Sequence, residues 1–286
     1  MRRRAGVRAT LVAAVATVSM VWPGSAMSDT VVDQGVRYVA LGDSRAAGPY
    51  LDAAAMIGGC ARSDVGYPAL VAHALRPASF INVSCAAART DNVTRIPQDT
   101  KTGQVPRQID LLAADTTLVT LSIGGNDVGW RTLVSACYTD LPGGDAHCRS
   151  NPNVATRMAA ALDALGPKVT ATLGKIRQKA SGARVLLVGH GGIFGDRGCW
   201  PNIPTSDADA SFVKGFFGRM NQVLAGAAAN TGAEFVDVAG GSEGHDACAA
   251  PDQRWFEGQQ SLSFAAPMHP TTAGMRHIAG RVVAAW

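Results

Sequence analysis

The chain has 286 residues, 47% of them hydrophobic and 17% charged, with 26 basic side chains against 22 acidic ones. The formal charge of +4 resides in Arg2, Arg3, Arg4 and Arg8, so the remainder is balanced and no basic surface for nucleic acid is implied. No linker, repeat or low-complexity block divides the chain, and its length suits one large domain with a substantial core.

The first element is a targeting segment. The N-terminal arginines, an apolar stretch over 11–21 and Gly24-Ser25-Ala26 have the layout of a secretory signal peptide over residues 1–26, which leaves 27–286 as one domain. The apolar run is too short for a stable membrane span, and nothing later approaches the roughly 18 apolar residues a span needs. The expected product is an exported monomer.

Short β-type runs at 37–41, 80–83, 118–123, 184–188 and 235–238 alternate with helical stretches at 67–74, 108–114, 154–180, 208–230 and 271–285. Such alternation predicts a parallel sheet covered by helices on both faces. The expected fold is therefore α/β, a three-layer α/β/α sandwich around a flavodoxin-like five-stranded sheet. Segments 132–153 and 189–206, rich in cysteine, glycine and proline, read as pinned loops.

Six cysteines in an exported chain point to disulfides, and six permit fifteen pairings. The expected pattern joins neighbours, Cys60–Cys85, Cys137–Cys148 and Cys199–Cys248, because each bridge then ties down one loop region between core elements. No C-x-x-C spacing suggests zinc, and no ligand spacing implies a metal or an organic cofactor.

Chemistry-bearing residues gather at predicted strand ends. Gly42-Asp43-Ser44 closes the first strand, at the sheet edge where open α/β folds bind ligands, although Asp-Ser also suits a turn or a helix N-cap. Cys85-Ala86-Ala87-Ala88 follows the second strand and offers backbone N–H groups. Gly124-Gly125-Asn126-Asp127 follows the third, where an asparagine amide can face an anion. Met268-His269-Pro270-Thr271 precedes the last helix, and a histidine there can serve a serine as general base. His190 ends another strand on the same edge, where it either contacts substrate or is structural. His73, His147, His245 and His277 lack any such context.

Taken together, these segments resemble the SGNH hydrolase superfamily, also called the GDSL esterase/lipase family. Gly42-Asp43-Ser44 matches its first block, Gly124-Gly125-Asn126-Asp127 its third and His269-Pro270 its last. The cysteines resemble those of its secreted actinobacterial branch, in which three sequential disulfides are usual. The resemblance implies a secreted esterase or lipase acting on small-molecule or lipid esters through an acyl-enzyme on Ser44, with His269 as general base. The oxyanion hole would comprise the backbone N–H groups of Ser44 and Ala87 and the side chain of Asn126.

Three positions depart from the family pattern. Ala87 replaces the usual glycine of the second block, where an N–H donor survives unless the position needs positive φ. Ala266 stands three residues before His269, where an aspartate is common, so a Ser–His dyad oriented by the Ala266 carbonyl is expected. Arg45 follows the nucleophile where an apolar residue is usual, and it could lower the serine pKa, favour acidic substrates or pair with a carboxylate.

Two alternatives remain open at this level. Gly240-Gly241-Ser242-Glu243-Gly244 fits the G-x-S-x-G pattern of an α/β-hydrolase that would use Ser242 with Asp246 or Asp252 and His269, but no helical pattern follows the serine. The missing aspartate and glycine also suit a secreted binding protein that has kept the fold and lost efficient turnover.

Overall fold

A computed structural model describes residues 35–286; the expected signal peptide lies outside them. The chain enters through strand β1 (Arg37–Gly42), then the short helices α1 (Ser44–Ala47) and α2 (Ala53–Ile57), helix α3 (Tyr67–Leu75) and strand β2 (Ser79–Asn82). Helix α4 (Thr90–Thr94) leads to a small hairpin of β3 (Gln98–Thr100) and β4 (Gly103–Val105), and β5 (Leu118–Ser122) returns to the centre. Two short helices, α5 (Gly125–Val128) and α6 (Trp130–Val134), precede the long α7 (Pro152–Lys179). Strand β6 (Arg184–Val188), helix α8 (Asp207–Thr231), strand β7 (Glu234–Val236) and helix α9 (Thr272–Ala285) complete the order.

The main sheet runs β2-β1-β5-β6-β7, with every pair parallel. This is the flavodoxin-like arrangement, and the three-layer sandwich holds. In β1 the side chains alternate between two buried faces. Val39 and Leu41 join Leu165, Val169 and Phe216 of α7 and α8. Tyr38 and Ala40 join Tyr67, Val71 and Ile278 of α3 and α9. A strand buried on both faces reads as a continuous apolar run, which explains its sequence. Each fully buried Leu or Val contributes about 1.5–3 kcal/mol relative to exposure.

One expectation changes and one element is added. The segment read as a helix over 108–114 makes a single 3₁₀ turn, Gln108–Leu111, because Ile109 and Leu112 are its only buried apolar side chains and Leu112 is already extended. The β3–β4 hairpin has three residues per strand, too few for a visible alternation. The three disulfides join Cys60–Cys85, Cys137–Cys148 and Cys199–Cys248, with Cα separations of 4.2, 5.0 and 5.6 Å. Each is worth about 2–4 kcal/mol through restriction of the unfolded chain.

Candidate active site

The parallel strands all end at one edge, and the candidate residues meet there. Gly42 closes β1 at φ +140°, and a Cβ on it would stand 2.5 Å from the Ser122 carbonyl oxygen, so only glycine lets β1 turn beside β5. Gln108 clamps that turn: its Oε1 accepts from Gly42 N at 2.7 Å and its Nε2 donates to Gly42 O at 2.8 Å. Asp43 is the N-cap of α1 and accepts from Arg45 N at 2.9 Å. Burial pushes the Asp43 carboxyl up to about 7, against the opposing pull of that hydrogen bond and of Arg45. Ser44 is thereby the first residue of α1, and its backbone N–H has no acceptor among the described residues.

His269 reaches the serine from the loop before α9, which Thr271 caps by accepting from Gly274 N at 3.2 Å. Ser44 Oγ lies 2.7 Å from His269 Nε2, and His269 Nδ1 lies 2.8 Å from the carbonyl oxygen of Pro267. A carbonyl only accepts, so the Nδ1 proton points to Pro267 and Nε2 presents its lone pair to the serine hydroxyl. The orienting carbonyl is thus that of Pro267, not of Ala266. Met268 adopts φ +64°, folding the chain so that the carbonyl two residues before the histidine faces the ring. Ala266 instead donates its N–H to Pro49 O at 3.1 Å. Burial lowers the His269 pKa to about 4; Arg45 and Arg131 push the same way, against the Pro267 hydrogen bond.

Ala87 and Asn126 line the same cavity as this pair. Ala87 sits at φ +66°, so the position does want positive φ, and the alanine carries the cost that glycine would avoid. Its N–H has no acceptor among the described residues, while Ala86 N donates to Cys60 O at 3.0 Å and Ala88 N to Cys85 O at 3.1 Å. The Cys60–Cys85 disulfide therefore anchors the segment that presents the Ala87 N–H. Asn126 Nδ2 donates one proton to Ala88 O at 2.9 Å and keeps a second for the cavity. Asp127 ties the two blocks by accepting from Thr90 Oγ1 at 2.6 Å.

His190 lies beneath the Gly124-Gly125 turn, with Nε2 donating to Ile123 O at 3.1 Å. Burial holds its pKa down at about 3, so the ring is neutral. A Cβ on Gly125 would come within 3.0 Å of the His190 ring, which accounts for the glycine. Pro267 and Gln108 escaped the sequence reading, since a carbonyl carries no residue signature and a glutamine in a predicted helix is unremarked. Ser242 lies elsewhere: its hydroxyl donates to Ala239 O at 2.6 Å, and among the described residues no helix follows until α9. His245 and His277 both stack on Trp255, with ring centroids at 3.9 and 4.4 Å.

The cavity beside Ser44 encloses about 700 Å³ and has an apolar wall that includes Trp130, Ile193, Phe217 and Met268. Its lining holds Ser44 and His269 together with Ala87 and Asn126, and its size and apolar wall can seat an acyl chain. Among the described residues no cluster suited to a metal ion occurs, and no helix is long and apolar enough to cross a membrane.

Known proteins share this arrangement of sequence. The profile of the family described as GDSL-like Lipase/Acylhydrolase matches residues 40–277. Lipase 2 of Streptomyces coelicolor is 34% identical over 252 residues, covering 85% of this chain and 83% of the relative. Lipase 1 of the same organism is 31% identical over 242 residues, covering 83% and 81%. Among solved structures, phospholipase A1 of Streptomyces albidoflavus superposes with a TM-score of 0.70 at 27% identity, over 88% of this chain and 98% of that one. The extracellular lipase of Streptomyces rimosus gives 0.70 at 26%, over 88% and 100%.

Proposed function

Because the chain belongs to the GDSL-like lipase and acylhydrolase family and is thus a carboxylic-ester hydrolase, we propose that Ser44 is its nucleophile and His269 its general base. The observation that carries this is the 2.7 Å contact between Ser44 Oγ and His269 Nε2. As Oγ attacks the ester carbonyl, Nε2 takes the hydroxyl proton and a tetrahedral oxyanion forms. The N–H groups of Ser44 and Ala87 and the free Nδ2 proton of Asn126 receive that charge, each donor being worth roughly 2.7–4 kcal/mol in the transition state. The imidazolium returns its proton to the departing alcohol, and water repeats the sequence on the acyl-serine. The dyad works without a carboxylate, the Pro267 carbonyl holding the ring and its Nδ1 proton.

The printed names of the relatives, lipases and a phospholipase A1, support a lipid ester as substrate. The extracellular relative and the three disulfides support an exported enzyme, with residues 1–26 removed as a signal peptide. The test is incubation of the mature protein with a fluorophosphonate, followed by peptide mass analysis and a p-nitrophenyl ester assay. An adduct on Ser44, absent in Ser44→Ala, together with turnover is expected. No adduct and no turnover would favour a binding protein on the same fold.

A further inference from the structure

Arg45 is the side chain that the mechanism leaves unused. It follows the nucleophile, lines the same cavity and is only 6% exposed. A buried guanidinium normally finds a carboxylate or fills its five donors. Here, among the described residues, no carboxylate lies within ion-pair distance of it. Among the described residues its guanidinium makes one hydrogen bond, from a terminal nitrogen to Gly191 O at a long 3.4 Å, and the Phe256 ring centroid lies 5.6 Å from Cζ. The buried Nε has no hydrogen-bond partner among the described residues. Leaving a charged donor group so poorly satisfied is costly, and the cost falls when a ligand supplies an acceptor.

The rest of the cavity does not offset Arg45 with a spare negative charge. Its other charged residues are Lys101 and Arg131 on one side of the balance and Asp43 and Asp99 on the other. Among the described residues neither Lys101 nor Arg131 has an ion-pair partner, whereas Asp99 accepts from Gln104 at 2.9 Å. Asp43 spends one carboxyl oxygen on Arg45 N, and burial favours its neutral form. With Arg45 the lining carries three cations against two carboxylates, and the most buried of these cations belongs to the residue that follows Ser44 in the chain.

We propose that Arg45 determines specificity by receiving an anionic group of the substrate, so that the enzyme prefers esters carrying a negative charge near the scissile carbonyl over their neutral counterparts. The proposal rests on the reading of Ser44 as nucleophile. A fully desolvated charge-assisted hydrogen bond corresponds to a preference of about tenfold or more.

The test compares kcat/KM of the intact mature enzyme on two matched pairs. One places a carboxylate on the leaving group: the butyrate ester of a carboxylated ortho-nitrophenol against ortho-nitrophenyl butyrate. The other places it on the acyl chain: p-nitrophenyl hemiadipate against p-nitrophenyl hexanoate. The expected result is a preference of about tenfold or more for the anionic member of at least one pair, falling as salt is added. Arg45→Gln should bring that ratio to about one and Arg45→Lys should restore part of it. If Arg45→Gln fails to fold, Lys101→Gln/Arg131→Gln decides, since most of the preference must survive loss of these exposed cations. Hydrolysis of the neutral esters with no preference in either pair overturns the proposal alone, as does an equal loss on both members in Arg45→Gln. No turnover of any of the four esters overturns the assignment of the site and this proposal with it.

Discussion

His269 takes its orientation from Pro267, whose carbonyl oxygen lies 2.8 Å from Nδ1. A carbonyl dipole fixes the tautomer that a nucleophilic serine needs, but it exerts less pull on the imidazolium than a carboxylate would. With burial as the main cause and two arginines adding to it, the His269 pKa is held at about 4. General-base catalysis needs the neutral ring, so activity is lost as pH falls through that value and is complete above it. The acid limb of kcat/KM should thus lie near pH 4, well below the ordinary histidine value. A limb at or above the ordinary value, measured on a neutral p-nitrophenyl ester, would contradict the assignment.

Asn126 Nδ2 donates to Ala88 O, and in the proposed mechanism its second proton serves the developing oxyanion. Asn126→Ala should lower kcat by about 10²–10³ while changing KM little, because the oxyanion donor acts mainly in the transition state. Steady-state kinetics on a short-chain ester reads both. An effect confined to KM would place Asn126 in ground-state binding instead.

Ala87 occupies φ +66°, a conformation that costs an L-residue energy and a glycine almost none. Ala87→Gly keeps the N–H donor and removes the strain. Against it stands the greater freedom of glycine in the unfolded chain, so the net gain in stability should be about 0.5–1 kcal/mol. Urea unfolding of the oxidised protein measures this, and retained turnover is expected alongside it. Destabilisation would mean that the Ala87 methyl packs usefully at the cavity wall.

Ser242 is the rival serine of the sequence, and its hydroxyl is spent on Ala239 O within its own turn. Ser242→Ala should keep turnover within about twofold and cost about 0.5–1.5 kcal/mol of stability, the worth of one such hydrogen bond. A large loss of kcat in a folded Ser242→Ala protein would revive the G-x-S-x-G reading.

The local signals of this chain were strong where one residue type has one physical use. Apolar runs buried on both faces marked β1, β5 and β6, and the cap at Thr271 marked the start of α9. Ser44, Asn126 and His269 could be singled out because each follows a strand or precedes a helix at the edge where a parallel sheet opens. The hairpin at Gln98–Val105 was invisible because its strands are too short to show a period.

The amino-acid sequence alone determined the layer order, through periodicity and residue type, and placed Ser44, Asn126 and His269 at strand ends or a helix start, while the resemblance to a known family joined those residues into one site and supported the neighbour pairing of the cysteines. Tertiary structure decided what backbone geometry and burial control. It chose the carbonyl of Pro267 over that of Ala266 through the left-handed turn at Met268, and it placed Ala87 at positive φ. It also buried Arg45 in the cavity with no carboxylate in reach among the described residues. None of these can be read from residue type, because a carbonyl belongs to every residue and a charge acquires its meaning only from what surrounds it.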